Sequence, residues 1–261
     1  MINDFIICLF FGSFSGLLAG LFGIGGGIVL VPFFIALFSA QNFPAPFIML
    51  MAVATSLATI VVTAISASLA HHKLGELQWS IVLKLTPSIF IGAIIGASIA
   101  SHLATQHLKI LLGLFLIYVG LKMANQRPQI QKNKLSILFF HITGIIIGSL
   151  SALLGIGGGT LTVPFLIRQQ FSLPHAIAIS SSCGLPIALA GTISYALLGW
   201  QQTNLPEGSL GYIYLPAFFG IIISSLITAP IGAKLAHRLP TQQLKRYFSI
   251  LLFIAAIKLL A

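Results

Sequence analysis

The stretch GLLAGLFGIGGGIVLVPFFI, which begins at Gly16, returns as GSLSALLGIGGGTLTVPFLI from Gly148. A chain that copies itself at this distance is built from two related units, and the repeat sets the architecture before any single residue does. Two further matches extend it. GASIASHLATQHLK from Gly96 answers GAKLAHRLPTQQLK from Gly232, and AVATSLA from Ala52 roughly answers AISSSCG from Ala178. The repeated centre is locally costly, because a glycine cluster weakens a helix interior. Gly23, Gly25, Gly26 and Gly27, and again Gly155, Gly157, Gly158 and Gly159, stand inside otherwise apolar runs.

Those runs define the fold class. Of 261 residues, 57% are hydrophobic and 6% charged, and no soluble domain keeps that much apolar surface out of water. The runs are continuously apolar rather than alternating in period two, which argues against a transmembrane barrel. The expected fold is therefore an all-α polytopic membrane protein. Apolar runs fall near 4–22, 26–39, 47–70, 80–101 and 108–124, then near 136–154, 158–171, 174–198, 210–236 and 246–261. Most are long enough to cross about 30 Å of hydrocarbon as helices. The second of each five is short, headed by glycines and interrupted by Pro32 or Pro164. The expected organisation is a first transmembrane repeat over 1–124, a basic linker over 125–135 and a second repeat over 136–261.

The start, MINDFIICLFFGSF, carries Asp4 and no basic residue, so no signal peptide is expected. The longest polar stretch is ANQRPQIQKNK, too short for a soluble domain. A net charge of +10 would suggest nucleic acid in a soluble chain; here the basic residues read as topogenic markers in loops. Cys8 and Cys183 both lie in apolar runs without metal or redox spacing, so no cofactor is expected.

The basic residues also choose between two topologies. If each half crosses five times and the N-terminus faces out, Lys73, Lys84, Lys122, Arg127, Lys132, Lys134, Arg168, Lys234, Arg238, Lys245 and Arg246 share the cytoplasmic side. Only Lys109 and Lys258 then fall outside, with Asp4 and Glu207. If the short segments are re-entrant and each half crosses four times, the division is nearly even. The cytoplasmic bias of short loops selects the first scheme. It consists of two inverted repeats of about five segments, each with a short broken helix after its GIGGG loop.

Inverted repeats with glycine- and proline-interrupted helices in matching positions point to a transport site at the midplane. Non-helical backbone is tolerated in the membrane only where protein or a water-lined cavity satisfies it. A glycine loop that opens a short helix offers unpaired amide N–H groups and the positive end of a dipole, which can hold an anion without lysine or arginine. The same glycines would also serve close helix packing; their recurrence before V-P-F and a short helix favours a site. Thr55 and Ser56, and Ser180, Ser181 and Ser182, fall at corresponding places and offer hydroxyl donors, though such hydroxyls also bond to helix backbone. Asp4, Glu76 and Glu207 all lie at an end or in a loop, so no buried acid repels an anion or forms a proton relay. His141 stands inside a run, whereas His71, His72, His102, His107, His175 and His237 read as loop or helix-end residues.

GLLAGLFGIGGGIVLVP, its copy GSLSALLGIGGGTLTVP, the ATS and SSS positions and the paired GASIASHLATQHLK segment resemble the TauE/SafE sulfite exporter family over nearly the whole chain. The resemblance implies transport of small sulfur-containing oxyanions or organosulfonates across the inner membrane. Substrate binding would then fall to Gly23, Gly25, Gly26, Gly27, Thr55, Ser56, Gly155, Gly157, Gly158, Gly159, Ser181 and Ser182. The partners expected are a small anion and the lipid bilayer, with no nucleic acid. The chain departs from strict symmetry where S-S-S-C-G-L-P faces A-T-S-L-A-T-I, so the half-sites need not contribute equally. The alternative is an intramembrane hydrolase using a serine near Ser182 with His141 or His175. A duplicated motif argues against it, since an enzyme needs no second half-site.

Overall fold

Within lipid a backbone segment must satisfy its own peptide groups, so uninterrupted apolar runs become helices. The computed structural model describes residues 2–23, 25–124 and 137–236, with helical positions at 250, 253, 254, 256 and 257. The linker 125–135 and most of the run 246–261 lie outside the described residues. So do Ile24, Arg127, Lys132, Lys134, His237, Arg238, Lys245, Arg246 and Lys258.

The helices are α1 (Ile2–Phe22), α2 (Gly27–Ala40), α3 (Ile48–Lys73), α4 (Trp79–His102), α5 (Thr105–Ala124), α6 (Ile137–Leu154), α7 (Gly159–Arg168), α8 (Leu173–Leu198) and α9 (Leu215–Ala236). They fall on nine of the ten expected runs. One boundary differs. The run expected from 210 opens instead as a hairpin, β1 (Ser209–Leu210) and β2 (Ile213–Tyr214), with Leu210 opposite Ile213. Gly208 and Gly211 take positive φ there, and Pro216 sits in the first turn of α9, where its missing N–H costs nothing. Pro32 and Pro164, expected to interrupt the second run of each half, lie inside α2 and α7, which continue past them.

Among the described residues, four helices, α3, α4, α8 and α9, are long and apolar enough to cross a membrane. With 14 and 10 residues, α2 and α7 span only about 21 and 15 Å, short of about 30 Å of hydrocarbon.

Glycines at every fourth position let helices touch backbone to backbone. On α1, a methyl group on Gly12 would lie 2.9 Å from Ile221 Cα, and one on Gly16 would lie 2.6 Å from Ser225 Cα of α9. On α4, Gly92 and Gly96 approach Ile145 and Ser149 of α6 in the same manner, and Ser149 Oγ donates to Gly92 O at 2.9 Å. Both pairings advance together along the two chains, so they are parallel. Between α3 and α9 the order is again parallel: Thr55 meets Tyr214, and Ser66 meets Leu226. Between α3 and α8 it reverses, with Leu57 against Gly191, Ala64 against Gly184 and Ser68 against Ser182.

Two consequences follow from these directions. Helices α1 and α3 both run with α9, so α2 and its loops carry the chain back between them. Exchanging α1 with α6, α3 with α8 and α4 with α9 also maps each major pairing onto another: α1–α9 onto α6–α4, α3–α9 onto α8–α4, and α3–α8 onto itself. The core is centred on that last pair, where Met49, Met51, Leu57 and Ile60 of α3 and Ile179, Cys183 and Ile187 of α8 are wholly buried.

Candidate functional site

The two GIGGG loops lie against this central pair and against one another. A methyl group on Gly25 would stand 3.2 Å from Gly157 Cα, and one on Gly27 would stand 3.0 Å from Ile156 Cα. All the described loop glycines are buried. Helices α2 and α7 therefore begin at the core. The Val29 and Leu161 N–H groups donate to the Gly26 and Gly158 carbonyls at 3.1 and 3.2 Å, which leaves the amides of Gly27, Ile28, Gly159 and Thr160 without a partner within their own helix. The N-cap residues Gly26 and Gly158 have no side chain with which to cap them.

Each loop is tied by a hydroxyl from the other half. Ser56 Oγ of α3 donates to Gly155 O at 2.8 Å, and Ser180 Oγ of α8 donates to Gly23 O at 3.1 Å. Ser56 thus corresponds in space to Ser180 and not to Ser182, a two-residue shift from the correspondence that the repeat suggests. Thr63 adds a long bond to Gly25 O at 3.4 Å. Of the other expected hydroxyls, Thr55 accepts the Tyr214 N–H at 3.0 Å and so holds the hairpin. Ser182 donates to Ser68 Oγ at 3.0 Å. Ser181 is buried beside Gly23, and its Oγ has no hydrogen-bond partner among the described residues.

Three hydroxyls that sequence reasoning passed over share that condition. Thr160, Thr162 and Ser151 are buried, and their oxygens are unpartnered among the described residues. Thr160 and Thr162 lie in the first turn of α7, and Thr162 Oγ1 is 3.2 Å from where a methyl group on Gly158 would sit. A buried unpaired hydroxyl carries a desolvation cost of about 1–3 kcal/mol, so each of the four calls for a polar partner. The signal was present in the repeat: GGGTLTVP has threonines where GGGIVLVP has Ile28 and Leu30.

No carboxylate joins this centre among the described residues. Glu76, in the loop between α3 and α4, pairs with His175 at 2.9 Å, and Glu207 lies exposed before the hairpin. His175 therefore faces Glu76 rather than a serine nucleophile, and Ser182 faces Ser68. His71, expected at a helix end, is there but buried, with Nε2 3.2 Å from Gly20 O. His141 is half-buried in the first turns of α6, away from the loops in sequence and without a role in their hydrogen bonding.

A helical multi-pass membrane protein whose centre holds short helices opening at glycine loops, with neutral donors, has the construction of a transporter. The chain belongs to the TauE/SafE sulfite exporter family, whose model, described as sulfite exporter TauE/SafE, matches residues 8–259. It is 37% identical over 261 residues to a probable membrane transporter protein of Haemophilus influenzae, covering 99% of both chains. It is also 29% identical over 248 residues to one of Methanocaldococcus jannaschii, covering 92% of this chain and 90% of that one. A probable membrane transporter protein of Bacillus subtilis is 23% identical over 279 residues, at 98% and 97% coverage. No solved structure matches the chain. The protein is a membrane transporter that handles a small molecule within a lipid bilayer.

Proposed function

We propose that the transported molecule is a small sulfur-containing oxyanion, of the sulfite, thiosulfate or short organosulfonate class, held at the midplane between the two glycine loops. The observation that carries this reading is that Ser181, beside Gly23, and Thr160 and Thr162, in the first turn of α7, are buried hydroxyls with no hydrogen-bond partner among the described residues. Amide N–H groups and hydroxyls at helix N-termini select negative charge. A pyramidal or tetrahedral oxyanion offers several acceptors to them at once. The description of the family as sulfite exporters agrees with this class.

The accompanying architecture is a pair of inverted five-segment repeats in the bacterial inner membrane, alternating access around the loops. Its support is directional: α3 and α8, third helices of their halves, run antiparallel, while α1 runs with α3. His175 against Glu76 places the start of α8 beside the end of α3. Lys73, Lys84, Arg168 and Lys234 thereby gather at one end, with Lys109 at the other. That segregation supports a cytoplasmic position for the first end. A reporter active only in the cytoplasm should work after Gln129 and fail after Ala261; activity at Ala261 would reject ten crossings.

The test of the substrate class is flux. Purified protein in proteoliposomes should move labelled sulfite or thiosulfate, with mutual competition and little effect of chloride. Uptake of an amine or sugar, with no movement of sulfur oxyanions, would reject the reading.

A further inference from the structure

Away from the glycine loops, the parallel ends of α3 and α9 enclose an open groove of about 340 Å³. Its walls are apolar, formed by Leu69, Leu74 and Pro230, and Lys73 and Lys234 stand exposed beside them. Its only hydroxyl, Ser66, is already committed to Leu226 O at 3.0 Å. Neither lysine takes part in an ion pair among the described residues. A small hydrated anion would find charge at the mouth but no free side-chain donor along the walls. A molecule with an anionic head and a hydrocarbon tail satisfies both parts.

We propose that this groove is a binding site for an anionic phospholipid, its phosphate between Lys73 and Lys234 and an acyl chain along Leu69 and Pro230. The groove lies at the end that also carries Lys84 and Arg168, where basic residues and anionic headgroups meet. Helix-end electrostatics alone would place cations equally in the other half, because a lysine in a last turn complements any helix C-terminus. The matching helix ends are those of α4 and α8. There Ser98 takes the place of Lys234 by the repeat, and Leu197 takes that of Lys73 by the Ser56–Ser180 correspondence. The paired lysines therefore do not follow from helix-end electrostatics or from the fold's symmetry.

The experiment is lipid retention by the full-length protein in detergent, read by native mass spectrometry. The probe is an equal mixture of phosphatidylglycerol and phosphatidylcholine with matched acyl chains. Wild-type protein should retain phosphatidylglycerol preferentially, and a Lys73→Ala/Lys234→Ala variant should lose that preference by about tenfold or more. Lys73→Arg/Lys234→Arg should keep it, which separates lost charge from lost fold. Equal retention of both lipids by wild type would overturn the proposal, as would an unchanged preference in the alanine variant. Removal of the preference by millimolar inorganic phosphate would overturn it too, by reducing the groove to a simple anion site. None of these outcomes depends on which solute the protein transports.

Discussion

The two GIGGG loops have one sequence and two backbones. In the first, Gly23, Gly25 and Gly26 all take left-handed φ, at 68°, 70° and 79°. In the second only Gly155 does, at 69°, and the N-cap Gly158 has φ −52°. The surroundings differ in the same sense. A methyl group on Gly26 would meet the Ser15 carbonyl oxygen at 2.8 Å, whereas one on Gly158 would meet the flexible tip of Ile187 at 2.7 Å. The helix that follows begins with Ile28 and Leu30 in the first copy, but with Thr160 and Thr162 in the second. The lesson is a division of labour between the N-cap glycines: Gly26 is required by the backbone, and Gly158 leaves room beside the Thr162 hydroxyl.

The strongest way to break that comparison is one substitution made in both loops. Gly26→Ala forces a Cβ into a left-handed conformation and against fixed backbone, at a cost of about 3 kcal/mol or more. Gly158→Ala needs no unusual φ and displaces only the end of one side chain. Thermal unfolding of the purified protein should show a large loss for the first and near wild-type stability for the second. Equal losses would erase the distinction between the loops.

Next in size are the ties. Ser56→Ala and Ser180→Ala each leave a buried loop carbonyl short of one donor, worth about 1–3 kcal/mol. Their melting points should fall by similar amounts, because the two bonds occupy equivalent places in the pairing pattern. A loss confined to one of them would show that only one loop depends on its neighbour.

The smallest effect on stability belongs to Ser181→Ala. Its hydroxyl has no partner among the described residues, so the melting point should stay put. Anion affinity should fall by the worth of a hydrogen bond to a charged group, about 1.5–3 kcal/mol. A fall in stability without a change in affinity would make Ser181 a packing residue.

Much of this arrangement could be read from the residues. The described helices lie where apolar runs are bounded by glycine and polar loops, and the GIGGG copies mark the centre. Apolar periodicity carries no information on whether α3 runs with α9 or against α8; the basic residues do, because ten crossings send segments 3 and 9 one way and segment 8 the other. Two features were not legible, each because it depends on partners distant in the chain. The hairpin at Ser209–Tyr214 hides in an apolar run, and it shows only through Gly208, Gly211 and the Thr55 bond. The match of Ser56 to Ser180 cannot be aligned from SSS alone, since three successive serines fit three registers and only the Gly23 carbonyl selects one.

The central claim is that an oxyanion rests between the two loops, and equilibrium binding of labelled sulfite to purified wild-type and Gly158→Ala protein tests it most directly. The account predicts saturable binding to wild type, displaced by thiosulfate or a short sulfonate far better than by chloride. It also predicts a stable, folded Gly158→Ala protein whose added methyl group, next to Thr162 Oγ1, weakens binding at least tenfold. Wild-type affinity in a folded Gly158→Ala protein would contradict it.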